Sequence, residues 1–125
     1  MFDNVLELLE QSKIPSFYFD GQVCAILDYL ELRPEKEEQI RRFVKEKKLF
    51  IGPFYTLVDE FLTDGVVFRK NLEIGLEIAR DFGCNDFIGY LADTFGHSKN
   101  APLILKEFGK KLLIMETHII IKILL

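Results

Sequence analysis

The run Phe87-Ile88-Gly89-Tyr90-Leu91-Ala92-Asp93-Thr94-Phe95-Gly96-His97-Ser98 decides how this chain is read. A short apolar stretch stops at a carboxylate, and small and polar residues follow before the next apolar segment, Leu103-Ile104-Leu105. That is the pattern of a buried strand delivering one acid to a loop. In parallel α/β architectures the chemistry collects at the carboxyl ends of the strands, where loops vary above a rigid sheet. Asp93 therefore stands at a position suited to chemistry. The competing reading is that it only caps the turn that follows.

The same pattern repeats upstream. Ser16-Phe17-Tyr18-Phe19 predicts a strand ending at Asp20-Gly21-Gln22. Leu49-Phe50-Ile51-Gly52-Pro53-Phe54-Tyr55 predicts a second, with a Gly-Pro interruption, leading to Asp59-Glu60-Phe61-Leu62 in a loop or a single helical turn. Helices are expected between them. Val5, Leu6, Leu8 and Leu9 recur at helical spacing behind Asp3 as N-cap, and Pro15 closes that segment. Residues 23 to 31 carry Ile26, Leu27 and Leu30, and Pro34 opens a longer helix at its favoured first position. Glu35, Glu37 and Glu38 crowd that helix's first turn and Lys45, Lys47 and Lys48 its last, a solvated face that complements the helix dipole. Residues 69 to 82 place Leu72, Leu76, Ala79 and Phe82 on one stripe, with Gly83 as C-cap.

The order helix, strand, helices, strand, helix, strand argues an α/β fold, a mainly parallel sheet flanked by helices. With right-handed crossovers, the loops bearing Asp20, Asp59 and Asp93 share one edge. Asp20 and Asp59 either line a cleft there or cap the turns after their strands. Tyr55 and Phe95 are either packing aromatics or platforms for a ligand ring.

With 125 residues and 49% hydrophobic content, the chain fills one core. A net charge of -4 gives no grip on nucleic acid or anionic lipid. The acidic start Met1-Phe2-Asp3-Asn4 is no signal-peptide n-region, and no apolar run reaches membrane-spanning length, so a cytoplasmic protein is expected. Cys24 and Cys84 lie far apart and read as reduced thiols.

Five blocks appear in one order and spacing. They are Phe19-Asp20-Gly21-Gln22; Leu32-Arg33-Pro34-Glu35; Ile51-Gly52-Pro53-Phe54-Tyr55-Thr56 with Asp59-Glu60-Phe61-Leu62; Arg69 with Asn71-Leu72; and Gly89-Tyr90-Leu91-Ala92-Asp93-Thr94-Phe95-Gly96-His97. Together, over roughly residues 5 to 109, they resemble the N-terminal catalytic domain of glycoside hydrolase family 38, the retaining α-mannosidases.

The resemblance implies part of a distorted β/α barrel, a zinc-dependent activity and a mannoside-containing carbohydrate as substrate. Asp93 matches the position of catalytic nucleophile and zinc ligand. A carboxylate there attacks the anomeric carbon, and a second carboxyl group protonates the leaving oxygen. His97 either joins Asp93 on the metal or is a structural loop histidine. Sugar contacts then fall to Asp20, Tyr55, Asp59 and Phe95.

The departures from the family pattern also carry expectations. Met1 matches a position inside the helix after the family's first strand, so the histidine-x-aspartate pair of zinc ligands is not expected in this chain. The acid/base aspartate and the remaining histidine ligand belong downstream of the matched blocks. Ala92 replaces a usual proline and Phe54 a common tryptophan. The expectation is a chain inactive by itself, with zinc absent or weakly bound. The alternatives are a non-catalytic oligomeric remnant or one subunit of a split enzyme.

Residues 110 to 125, ending Ile119-Ile120-Ile121-Lys122-Ile123-Leu124-Leu125, show no family motif and are set apart from a domain at 1 to 109. They read as a replacement strand or as an out-of-frame tail, and their Ile and Lys bias favours the tail. An apolar, β-prone end also predicts a homo-oligomer. His118 receives no role.

Overall fold

The computed structural model describes residues 1–91, 96–109, and the backbone of 113–115 and 120–121. The chain runs α1 (Phe2–Glu10), β1 (Phe17–Tyr18), α2 (Cys24–Leu32), a 3-10 turn (Pro34–Lys36), α3 (Glu37–Lys45), β2 (Leu49–Phe50) and α4 (Gly65–Asp81). It continues with β3 (Gly89–Leu91), α5 (Ala101–Glu107), β4 (Leu113–Met115) and β5 (Ile120–Ile121). The alternation expected from the sequence is present. Residues 113 to 115, within the segment set apart at 110 to 125, form a strand parallel to β3.

The pairing is parallel where a crossover helix intervenes, as geometry requires. β1 pairs with β2 in parallel, Phe17 opposite Leu49 and Tyr18 opposite Phe50. β3 pairs with β4 in parallel, and β4 with β5 antiparallel. The expected single sheet is instead two small ones, and no closed barrel is formed among the described residues. The strands are shorter than their apolar runs. After Phe50 the ladder breaks at Gly52-Pro53 and resumes only as one bridge between Gln22 and Phe54, because proline has no N–H to donate. The Tyr18 hydroxyl spans the gap between sheets, lying 2.5 Å from the Gly52 carbonyl oxygen and 3.0 Å from that of Ile88.

Three helix starts differ from expectation. Asp3 is not the cap of α1 but sits in its first turn, where its carboxylate accepts from the Tyr29 hydroxyl and from Arg33. Pro34 opens a 3-10 turn, and α3 follows from Glu37. α4 begins at Gly65, four residues ahead of the expected start, because the Asp64 carboxylate accepts from Val66 N–H at 2.9 Å and Val67 N–H at 2.8 Å. Its end is as expected. Gly83 has φ +92°, its N–H donates to Arg80, and Cys84 N–H donates to Ala79, the paired bonds of a Schellman close.

The buried side chains gather in two clusters that α4 joins. The first packs Val5, Leu6 and Leu9 of α1 against Ile40, Phe43 and Val44 of α3, with Leu49, Ala79 and Phe82 among them. The second packs Phe68 and Leu72 of α4 with Phe54, Leu91 and, from α5, Ala101, Ile104 and Leu105. Each buried leucine or phenylalanine contributes about 1.5–3 kcal/mol of transfer free energy. The second cluster anchors Phe54 after β2 and Leu91 at the end of β3. No helix among the described residues is long and apolar enough to cross a membrane.

Candidate active site

The ends of the first three strands converge. Gly21, just after β1, approaches Tyr90 of β3 so closely that an added Cβ would lie 2.8 Å from Tyr90 Cβ. Phe54 N–H donates to the Gly21 carbonyl oxygen, and Cys24 N–H to that of Tyr55. The segments leaving β1 and β2 are thus stitched together beside β3.

Two amide side chains hold the segment that carries Tyr55. Asn71 of α4 accepts through Oδ1 from Tyr55 N–H (2.8 Å) and Thr56 N–H (3.3 Å) and donates through Nδ2 to the Thr56 carbonyl oxygen (2.8 Å). Gln22 accepts through Oε1 from Leu57 N–H (3.2 Å) and the Thr56 hydroxyl (3.4 Å), while its Nε2 donates to Asp20 (3.0 Å). Asp20 is exposed, in a left-handed conformation at φ +37°. Tyr55 is 40% exposed. Asp20 and the Tyr55 backbone therefore share one network, linked through Gln22, Thr56 and Asn71.

A second join ties the loop after β2 to the loop after β3. Asp59 accepts from Phe61 N–H at 2.9 Å, which turns the chain and sends Glu60 inward. The Glu60 side chain is 1% exposed; its Oε1 lies 2.9 Å from His97 Nδ1. Its Oε2 accepts from Ser98 N–H at 2.7 Å. The Phe61 ring lies over Gly96, where a Cβ would stand 2.0 Å from Phe61 Cε2. A cleft of about 220 Å³ opens beside this join, lined by Glu60, Thr63, Gly65, Phe68, Ser98 and Asn100 among others. A larger surface groove of about 970 Å³ lies between α2, α3 and α4 and contains none of the expected site residues.

The structure thus brings Asp20 and the Tyr55 backbone into one network, while Asp59 turns its own loop and it is the neighbouring Glu60 that meets His97. Asp93 and Phe95 lie outside the described residues. Sequence reasoning passed over Glu60, Gln22 and Asn71 as functional groups, although all three stand inside the blocks that carried the resemblance. Among the described residues no three His, Cys, Asp or Glu side chains are placed to hold a metal ion. His97 engages Glu60 through Nδ1, and Asp93, its expected companion on zinc, lies outside the described residues.

A sequence model described as Glycosyl hydrolases family 38 N-terminal domain matches residues 1–119, running past residue 109. A putative mannosylglycerate hydrolase of Halalkalibacterium halodurans is 40% identical over 111 residues, 87% of this chain and 12% of that protein. An α-mannosidase from Enterococcus faecalis V583 superposes with a TM-score of 0.86 at 36% identity, over 91% of this chain and 13% of its own. A second Enterococcus faecalis structure, titled as a protein in glycosyl hydrolase family 38, gives 0.80 at 37% identity over 88% and 13%. The chain spans about one-eighth of the length of these relatives. With the family's sequence model matching residues 1–119 and a relative 40% identical over 87% of the chain, the chain belongs to glycoside hydrolase family 38, matching that family's N-terminal domain.

Proposed function

We propose that the chain is a portion of a retaining α-mannosidase and carries the nucleophile of that enzyme at Asp93. The observation that carries this reading is the superposition on the Enterococcus faecalis α-mannosidase, with a TM-score of 0.86 at 36% identity. Asp93 follows β3 by two residues, at the carboxyl end where this class of fold keeps its chemistry. Its carboxylate attacks the anomeric carbon of an α-mannoside while a second carboxyl group of the whole enzyme gives its proton to the glycosidic oxygen, so that the aglycone leaves as an alcohol. Water then hydrolyses the mannosyl-enzyme ester. The name of the Halalkalibacterium relative extends the substrate class to mannosylglycerate.

The chain by itself is inactive in this reading. Retaining hydrolysis needs two carboxyl groups about 5 Å apart, and the resemblance matches only Asp93. Among the described residues no three His, Cys, Asp or Glu side chains are placed to hold the zinc that the family implies. Incubating the chain with p-nitrophenyl α-mannoside and with mannosylglycerate, while measuring bound zinc by elemental analysis, tests this. No turnover and no stoichiometric zinc are expected. Turnover that vanishes in an Asp93→Asn variant would overturn the claim of inactivity.

A further inference from the structure

We propose that Glu60 is the positioning residue of this loop edge: one buried carboxylate that fixes the Gly96–Ser98 segment and holds His97 with its proton on Nδ1. The inference deepens the mannosidase reading and takes its functional meaning from it.

Ionised, a carboxylate only accepts hydrogen bonds, so each group facing it must donate. Glu60 Oε2 takes the Ser98 N–H at 2.7 Å, a short bond of the charge-assisted kind. Glu60 Oε1 lies 2.9 Å from His97 Nδ1 and therefore demands a proton there. In the neutral ring this leaves Nε2 unprotonated and basic, the arrangement by which carboxylates commonly orient functional histidines. The free imidazole has no such constraint.

The placement also argues against a merely packing role. A carboxylate with a side chain 1% exposed is costly to bury, and an apolar residue would fill the space at lower cost. What an apolar residue would not do is grip two donors on a different loop, 37 and 38 positions away. Glu60 and the Phe61 ring over Gly96 together fasten one end of the stretch that contains Asp93. Leu91, fully buried at the end of β3, fastens the other. The described residues on either side of that stretch, Leu91 and Gly96, are thus fixed, and fixing the second is the role given to Glu60.

The test is nitrogen-15 spectroscopy of the labelled chain in mildly alkaline buffer, with a His118→Gln variant identifying the His97 signals. The expected result is a proton bonded to His97 Nδ1 and none on Nε2, together with a Ser98 amide that exchanges slowly. In Glu60→Gln the single carbonyl oxygen cannot serve both donors. The Nδ1 proton is then lost from His97, or Ser98 exchange quickens by about tenfold to a hundredfold, the range set by a hydrogen bond to a charged group. A His97 proton on Nε2 or on both nitrogens in the unmodified chain overturns the proposal, and that reading needs no variant to fold. So does a folded Glu60→Gln chain in which both signals are unchanged. Neither readout involves turnover, so loss of the mannosidase reading and loss of the Glu60 assignment are separate results.

Discussion

Gly75 of α4 lies directly on the backbone of Phe54: a Cβ built at Gly75 would stand 2.2 Å from the Phe54 carbonyl carbon and 2.3 Å from Tyr55 N. The helix that carries Asn71 is thus pressed against the segment Asn71 holds. Contact at this range with backbone cannot be relieved by turning a side chain.

Two opposing effects decide what Gly75→Ala does. Helix propensity favours alanine by about 1 kcal/mol. Forcing the helix off the Phe54–Tyr55 backbone costs about 1–3 kcal/mol or more, so the clash wins and the chain is destabilised. Gly65, at the start of the same helix, has nothing within 4 Å, and Gly65→Ala should be neutral or stabilising by up to about 1 kcal/mol. Urea unfolding of both variants checks the contrast. Equal effects at the two glycines would contradict the packing described.

Asn71→Ala removes both acceptor bonds and the donor bond that hold Tyr55 and Thr56. Leaving these backbone groups to water or unsatisfied costs about 1–3 kcal/mol. The loss should fall on the loop, with Tyr55 and Thr56 amides exchanging faster while the α1–α3 core keeps its protection. Hydrogen exchange read residue by residue distinguishes this from general unfolding.

Stability should fall on the alkaline side. Burial, reinforced by a hydrogen bond to the Asp3 carboxylate, pushes the Tyr29 hydroxyl up to about 12, and burial pushes Tyr18 well above the ordinary phenol value. A group whose folded pKa is raised contributes stability that is complete below its unfolded value, about 10 for tyrosine, and is lost as pH rises through the folded value. Unfolding free energy should therefore decline from about pH 10 upward, and Tyr18→Phe and Tyr29→Phe should each flatten the decline. On the acid side, Glu10 and Glu107 are held below the usual carboxylate range by hydrogen bonds from Arg42 and Arg69. Their contribution is present above the unfolded carboxylate value and lost as pH falls through the folded one. Both pairs are exposed, so that loss is small.

Much of the fold was legible because its signals are local. The Leu72, Leu76, Ala79 and Phe82 stripe is buried as its spacing required, and Gly83 closes α4 with a left-handed residue. The first turn of α4 was not legible, because Gly65, Val66 and Val67 are weak helix formers and the deciding group is the Asp64 cap. The strands came out short because apolar runs report burial, whereas a ladder also needs a donor at each step, which Pro53 lacks. The Asp59–Leu62 acids looked alike in sequence. Only the fold separates Asp59, which turns its own loop, from Glu60, whose partners lie beyond the whole of α4 and β3. The apolar run that stops at a carboxylate singled out Asp93 and the resemblance gave it a role; Asp93 and Phe95 lie outside the described residues.

The central proposal is that this chain carries the nucleophile portion of a family 38 domain. The most direct measurement replaces the matching segment of the Enterococcus faecalis α-mannosidase with residues 1–109 of this chain and assays hydrolysis of p-nitrophenyl α-mannoside. The account predicts an active chimera whose turnover disappears in Asp93→Asn, with folding unchanged. A folded chimera that hydrolyses nothing, or one that keeps its activity without the Asp93 carboxylate, would contradict it.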